Sequence, residues 1–260
     1  MPTNRRTATP PVRSREALRP PTPVAGETPP LSSASLDAVA HAIVTCERCP
    51  RLRLYCQRIG REKRAAYRAD TYWAKPVPGF GDPEARIVLI GLAPAAHGAN
   101  RTGRVFTGDG VGGSGDFLMT ALHANGLANQ PWSQRGSDGL TLTDVWIAAA
   151  VRCAPPDNKP SPLEIANCEP HLLAEIAALP RAQVFVALGR LAFDATWRLL
   201  ARSGIRRPRR PVFEHGGIYD NEGGPAVVAS YHPSRQNTNI GRVTQEMLRE
   251  ALTSAQRLVR

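Results

Sequence analysis

Four short apolar segments rich in β-branched residues constrain the fold of this chain more than any other feature. They span residues 86–92, 144–152, 183–188 and 226–231, and turn-forming residues bound each of them. Apolar runs of this length are typical of strands buried on both faces of a parallel sheet. Helical patterns flank them at residues 36–48, 115–126, 162–178, 189–203 and 242–258. This alternation predicts an α/β fold, a three-layer α/β/α sandwich around a four-stranded, mainly parallel sheet.

The first 34 residues of the 260-residue chain differ from the rest. They contain eight prolines and five arginines but no periodic apolar pattern, so they bury too little surface to offset the entropy of ordering. We expect a disordered Pro/Arg-rich tail over residues 1–34 and one α/β domain over residues 35–260. No secretory signal and no run of about 20 apolar residues is present, which predicts a cytoplasmic protein that does not associate with membranes.

The formal net charge of +11 indicates an anionic partner, most often a nucleic acid. Basic residues cluster in two segments, 51–68 and 206–210. We expect the first to contact phosphates, because it adjoins a pair of cysteines, whereas a solvated loop is the simpler interpretation of the second.

Five cysteines occur, and two of them form a C-x₂-C pair followed by Pro50. They are Cys46, Cys49, Cys56, Cys153 and Cys168. In a cytoplasmic protein, paired cysteines more often bind metal than form a disulfide. Four thiolates fit either a tetrahedral zinc or a [4Fe–4S] cluster, and spacing does not choose between them.

A long polar loop, residues 91–109, follows the first predicted strand. In an open α/β sheet, a loop leaving the carboxyl end of a parallel strand is where a ligand site lies. The loop lacks the spacing of a phosphate-binding glycine motif. It offers instead polar, cationic and aromatic side chains, namely His97, Asn100, Arg101, Arg104, Phe106 and Asp109.

This loop, VRCAPPDNKP at residues 151–160 and SYHPSRQNTN at residues 230–239 together resemble the type-5 (family B) uracil-DNA glycosylases. The likeness covers roughly residues 40–255. It implies a monomeric base-excision-repair hydrolase that acts on DNA without a cofactor in the chemical step. Such an enzyme removes uracil, and other damaged bases such as hypoxanthine and ethenocytosine, and leaves an abasic site. The alternative is a catalytically inert, cluster-bearing DNA-binding module.

The same resemblance selects a structural [4Fe–4S] cluster, with Cys46, Cys49, Cys153 and Cys168 as its ligands. Cys56 is then left over, either as a small buried hydrophobic residue or as a replacement for one of these four. The cluster would hold the N-terminal helix and its basic loop against the sheet and present Arg51 and Arg53 to DNA. A redox role stays open.

The reaction that the resemblance implies needs a stacking face, a donor for the leaving base and a group near the sugar, and candidate residues are present for each. His232 donates a hydrogen bond to the leaving base, Asp109 holds water and stabilises the sugar cation, and Asn158 is a second polar catalytic candidate. The base-binding candidates are Phe106 as a stacking platform, His97 and Ala149. The DNA-binding candidates are Arg51, Arg53, Arg101, Arg104 and, with Ile240 as a wedge into the vacated stack, Gln236, Asn237 and Asn239.

Two segments depart from the pattern of other uracil-DNA glycosylase families. Leu92 and Ala93 stand where those families place a polar or acidic residue that activates water, and Ala149 stands where an asparagine would read the uracil edge. Without that amide, we expect a pocket that discriminates by shape and by the ease of unpairing. The glycine-rich residues 110–115 precede a helix whose free N–H groups would suit a phosphate.

Overall fold

The computed structural model describes residues 35–205, 209 and 211–260. The predicted tail lies outside the described residues, as does most of the second basic cluster. Within the described part of the chain, no helix is both long and apolar enough to cross a membrane.

The sheet contains the four predicted strands in parallel at its centre. Its strands are β1 (Phe80–Gly81), β2 (Ile87–Gly91), β3 (Val145–Ala149), β4 (Val184–Leu188), β5 (Ile218–Tyr219) and β6 (Ala226–Ser230). They lie in the order β1-β3-β2-β4-β6-β5, with β1 and β5 antiparallel at the edges. The expected sheet of four strands is therefore corrected to a mixed sheet of six in the described residues. The two edge strands are only two residues long, too short to give a periodic pattern.

The described residues contain the five predicted helices and three more, of which two are only four and five residues long. They are α1 (Leu36–Val44), α2 (Pro50–Glu62), α3 (Ala99–Thr102), α4 (Ser114–Ala124), α5 (Pro162–Ala177), α6 (Arg190–Arg202), α7 (Arg235–Asn239) and α8 (Gln245–Leu258). Helix α1 ends before the cysteine pair, and the expected basic loop is largely the helix α2. Pro50 at its first position and the buried Leu52 and Cys56 on one face explain why this arginine-rich segment is helical.

Alternate residues of each central strand point to opposite faces of the sheet, and each face has its own core. Leu89 of β2 belongs to a cluster with apolar side chains of α4 and α8, whereas Ile90 belongs to a cluster with those of α5 and α6. The side chains of both strand residues are fully buried. Helices therefore cover both faces, which confirms the three-layer architecture and leaves the carboxyl ends of the parallel strands free for a site.

Candidate active site

A small cavity lies at the carboxyl ends of the central strands. Gly91 at the end of β2 and Ala149 at the end of β3 are paired in register and form its floor. Phe106, Asp109 and His232 also line it. The structure therefore brings together four of the predicted site residues, Phe106, Asp109, Ala149 and His232.

Phe106 packs against Gly91 and has an unusual backbone conformation. Its φ of 49° lies in the left-handed region, which costs a non-glycine residue about 1–2 kcal/mol. The ring packs so tightly on Gly91 that a Cβ at that position would lie 3.0 Å from Phe106 Cε2. Backbone strain of this kind clusters at functional sites, so Phe106 stays the predicted stacking platform for a planar base.

His232 follows β6, and its ring lies alongside that of Phe106, with centroids 5.7 Å apart and planes 28° apart. Burial lowers the pKa of the imidazole to about 4, so the ring is neutral at pH 7. A neutral imidazole donates through one N–H. The His232 carbonyl accepts hydrogen bonds from Asn237 Nδ2 and the Ser234 N–H, both at 2.8 Å, and these fix the turn that carries the ring.

Asp109 faces the same cavity at the N-terminus of α4. Its carboxylate oxygens accept the Gly115 N–H at 3.2 and 3.3 Å. The positive end of the helix dipole favours a negative charge at this point. This contact also uses one of the N–H groups that we expected to bind a phosphate, and the Asp116 carboxylate accepts a second, that of Gly112.

Two assigned residues lie elsewhere. His97 Nδ1 is 3.0 Å from the Tyr72 hydroxyl, and burial with the charges of Arg64 and Arg101 lowers its pKa, but the ring does not line the cavity. Asn158 is exposed at the end of a 3₁₀ turn and is also absent from the lining. Base contact by His97 and a catalytic part for Asn158 stay predictions without support from their placement.

The four arginines assigned to DNA are engaged within the protein. Arg53 is 6% exposed and binds Glu47 and the Ala74 carbonyl. Arg104, equally buried, binds Asp138, Ser133 and Thr107.

Arg101 holds Asp70 and the carbonyls of His97 and Gly108. These contacts make Arg53, Arg101 and Arg104 supports of local structure rather than a surface open to DNA. Arg51 is half-exposed but makes a bidentate pair with Glu164 at 2.8 and 2.7 Å.

Helix α7 carries the remaining DNA candidates. Gln236 and Asn239 are exposed, as is Ile240 just after the helix, whereas Asn237 holds the His232 turn. Sequence reasoning missed Arg235, whose Nη2 lies 3.0 Å from the Val111 carbonyl and 3.4 Å from that of Asp109. It ties the loop after β6 to the loop after β2, and only its position in the SYHPSRQNTN segment could have pointed to it.

The four predicted metal ligands line one small cavity between α2, α5 and the segment after β3. The Cys168 sulfur accepts the Arg152 N–H at 3.2 Å, and Cys49 accepts Asn167 Nδ2 at 3.8 Å. Burial raises the pKa of the Cys168 thiol to about 11. In the described residues, no three potential ligands are spaced as a metal site requires.

Cys56 lies outside that lining, and its thiol donates to the Ala154 carbonyl at 3.6 Å. Four cysteines in one lining nevertheless provide the soft sulfur ligands that an iron–sulfur cluster takes.

The chain is similar to known uracil-DNA glycosylases over most of its length. The model of the uracil DNA glycosylase superfamily matches residues 78–256. A type-5 uracil-DNA glycosylase of Thermus thermophilus is 51% identical over 222 residues, which cover 85% of this chain and 97% of that protein. The type-5 uracil-DNA glycosylases of Mycobacterium tuberculosis and Pyrobaculum aerophilum are 44% and 43% identical, over 83% and 84% of this chain and 79% and 91% of their own lengths.

Proposed function

The chain belongs to the type-5 family of the uracil-DNA glycosylase superfamily, and we propose that it hydrolyses the N-glycosidic bond of deoxyuridine in DNA. The product is an abasic site. The observation that carries the proposal is the cavity at the carboxyl edge of the sheet, where an aromatic platform, a neutral imidazole and a carboxylate converge. Because a base inside a duplex cannot enter such a cavity, the nucleotide must first be flipped out. We propose a monomeric, cytoplasmic enzyme.

The imidazole of His232 is suited to the leaving group. As the glycosidic bond breaks, negative charge builds on the uracil, and a fixed N–H donor stabilises it more than it stabilises the neutral substrate. With its pKa near 4, His232 is neutral and acts as a hydrogen-bond donor rather than as a cation. Stacking on Phe106 would hold the base beside this donor.

The carboxylate of Asp109 is suited to the sugar. The departing base leaves an electron-poor anomeric carbon, and a nearby negative charge stabilises the oxocarbenium-like transition state. The same oxygens can accept a hydrogen bond from the water that adds to this carbon. Since the Gly115 N–H holds the carboxylate, its orientation is set before the substrate binds.

The decisive test is a single-turnover incubation of the purified protein with duplexes that contain uracil, hypoxanthine or ethenocytosine. Abasic sites in the uracil duplex would support the proposal, and sites in the other two would extend it to further damaged bases. Tight binding with no abasic site on any duplex would favour an inert DNA-binding module.

Base selectivity follows from Ala149, which offers no hydrogen-bonding side chain at the cavity floor. We expect Ala149→Asn to raise the rate on uracil relative to hypoxanthine by about tenfold, because a base that leaves a buried amide unpaired is penalised. The measurement is the ratio of single-turnover rates on matched duplexes. Ala149→Val adds volume without hydrogen-bonding groups and is the control. An equal change of the ratio in both variants would attribute selectivity to shape alone.

We further propose that Cys46, Cys49, Cys153 and Cys168 hold a structural [4Fe–4S] cluster. The four residues line one cavity, and thiolates are the ligands such clusters take. The cluster would join α2 and α5 to the segment after β3 and so stabilise the fold around the site; no chemical step is assigned to it.

The proposed cluster should give the protein a colour and a defined iron content. Freshly purified protein should be brown, absorb broadly near about 400 nm and contain about four iron atoms per chain. Replacing any of the four ligands by serine should remove the colour, whereas Cys56→Ser should retain it because Cys56 lies outside the shared cavity. A colourless protein with one zinc would contradict the cluster. Loss of colour in Cys56→Ser would change the ligand set.

A further inference from the structure

The basic segment at the end of α2 contains arginines that are buried or paired and others that are exposed. Arg53 is buried, and Arg58 pairs with Glu62 at 3.9 Å. Beyond them, Arg61, Arg64 and Arg68 are exposed, and within the described residues no carboxylate pairs with any of the three. The Lys63 ammonium donates to the Arg68 carbonyl at 3.2 Å, which fixes the turn between them.

This segment is joined to the loop that carries Asp109. Between Arg64 and Arg68 lies Tyr67, and the Arg101 guanidinium stacks on its ring at 3.9 Å. The Tyr67 hydroxyl reaches Gly110, where an added Cβ would lie 3.4 Å from it. The segment that carries the free arginines therefore contacts the loop between β2 and α4, whose Asp109 lines the cavity.

Charge next to the cavity has a specific use if the substrate is DNA. The phosphates on either side of a flipped-out nucleotide must pass the rim of the cavity that receives its base. Exposed guanidinium groups without internal partners can meet those phosphates without breaking an ion pair. Arg51, which sequence reasoning placed on DNA, would first have to leave Glu164.

We propose that Arg61, Arg64 and Arg68 form the surface that binds the DNA phosphate backbone beside the cavity. The proposal rests on the proposed function in its choice of partner. Within the basic segment 51–68, which the sequence predicts to contact phosphates, it assigns that contact to Arg61, Arg64 and Arg68 in place of Arg51 and Arg53.

The test compares two double variants that each remove two positive charges. Arg64→Ala with Arg68→Ala removes part of the surface. Arg257→Ala with Arg260→Ala is the control, because these two exposed residues line a groove with Gln183 and Ala226 at the amino ends of β4 and β6, whereas the cavity lies at the carboxyl ends of the strands. The probe is a fluorescent undamaged 20-base-pair duplex, and its Kd is measured from about 50 to 200 mM KCl.

We expect the Arg64/Arg68 variant to raise the Kd about tenfold at low salt and to reduce the slope of log Kd against log salt by about 2, since each lost phosphate contact removes about 0.9. The control should retain the slope. Arg64→Lys with Arg68→Lys, which keeps the charges, should retain most of it. Equal losses in the two alanine double variants, or an unchanged slope in the first, would overturn the proposal. Because the duplex is undamaged, this result does not depend on glycosylase activity.

Discussion

His232→Ala is expected to lower the single-turnover rate on a uracil duplex by about a hundredfold, the effect of losing one fixed donor to a developing anion. Asp109→Ala should slow the reaction to a similar extent, because the sugar cation loses its carboxylate. Rates are measured with saturating enzyme, so that weaker binding does not contribute.

Two further variants separate an effect on the chemical step from an effect on folding. His232→Gln retains an N–H donor and should recover part of the rate. His123→Ala is the matched control, because His123 lies in the last turn of α4, bonded to the Ala128 carbonyl and outside the cavity. Near-native rates in both His232→Ala and Asp109→Ala would refute this mechanism while leaving the family assignment intact.

The central fold was predictable because its signal is local. Each core strand is a continuous apolar run, and burial on both faces leaves no polar alternation that would suggest an edge. The edge strands β1 and β5 have two residues each, and only their pairing with β3 and β6 makes them strands. That pairing is tertiary information, which a short segment does not carry.

The site was predictable where strand ends determine it and unpredictable where loop conformation does. Ala149 is the last residue of β3 and His232 lies two residues after β6, so the topology brings them together. Asn158 follows β3 at a greater distance, through a turn in which both Asp157 and Asn158 have positive φ. A sequence does not specify such a turn, and it leaves Asn158 facing solvent.

Which arginines face a partner is harder to predict from the sequence. Net charge indicates a nucleic-acid partner but not which guanidinium groups face it. Arg51 is paired with a glutamate 113 residues away, and Arg104 with an aspartate 34 residues away. Pairs of such separation exist only in the folded chain, so the sequence alone does not show which arginines already have a partner within the protein.

The second large effect is expected at a buried ion pair. Arg152 and Glu175 have side chains only 1% and 2% exposed, and Arg152 Nη2 lies 2.6 Å from Glu175 Oε2. Glu175 also accepts the Gly79 N–H at 2.9 Å and so joins three segments of the chain. Glu175→Ala leaves the Arg152 guanidinium buried without its counter-charge. The expected loss in the free energy of unfolding is about 3–5 kcal/mol.

Urea unfolding measures this loss. Two further variants test whether the loss comes from the buried charge. Glu62→Ala removes a glutamate from an exposed pair and should cost no more than about 0.5 kcal/mol. Arg152→Met combined with Glu175→Leu removes both charges and should restore much of the stability, because the cost of the single variant is an uncompensated charge rather than a lost attraction. If Glu175→Ala costs less than about 1 kcal/mol, or the double variant is no more stable than the single one, then water or movement of Arg152 compensates the charge and the pair does not hold these segments together.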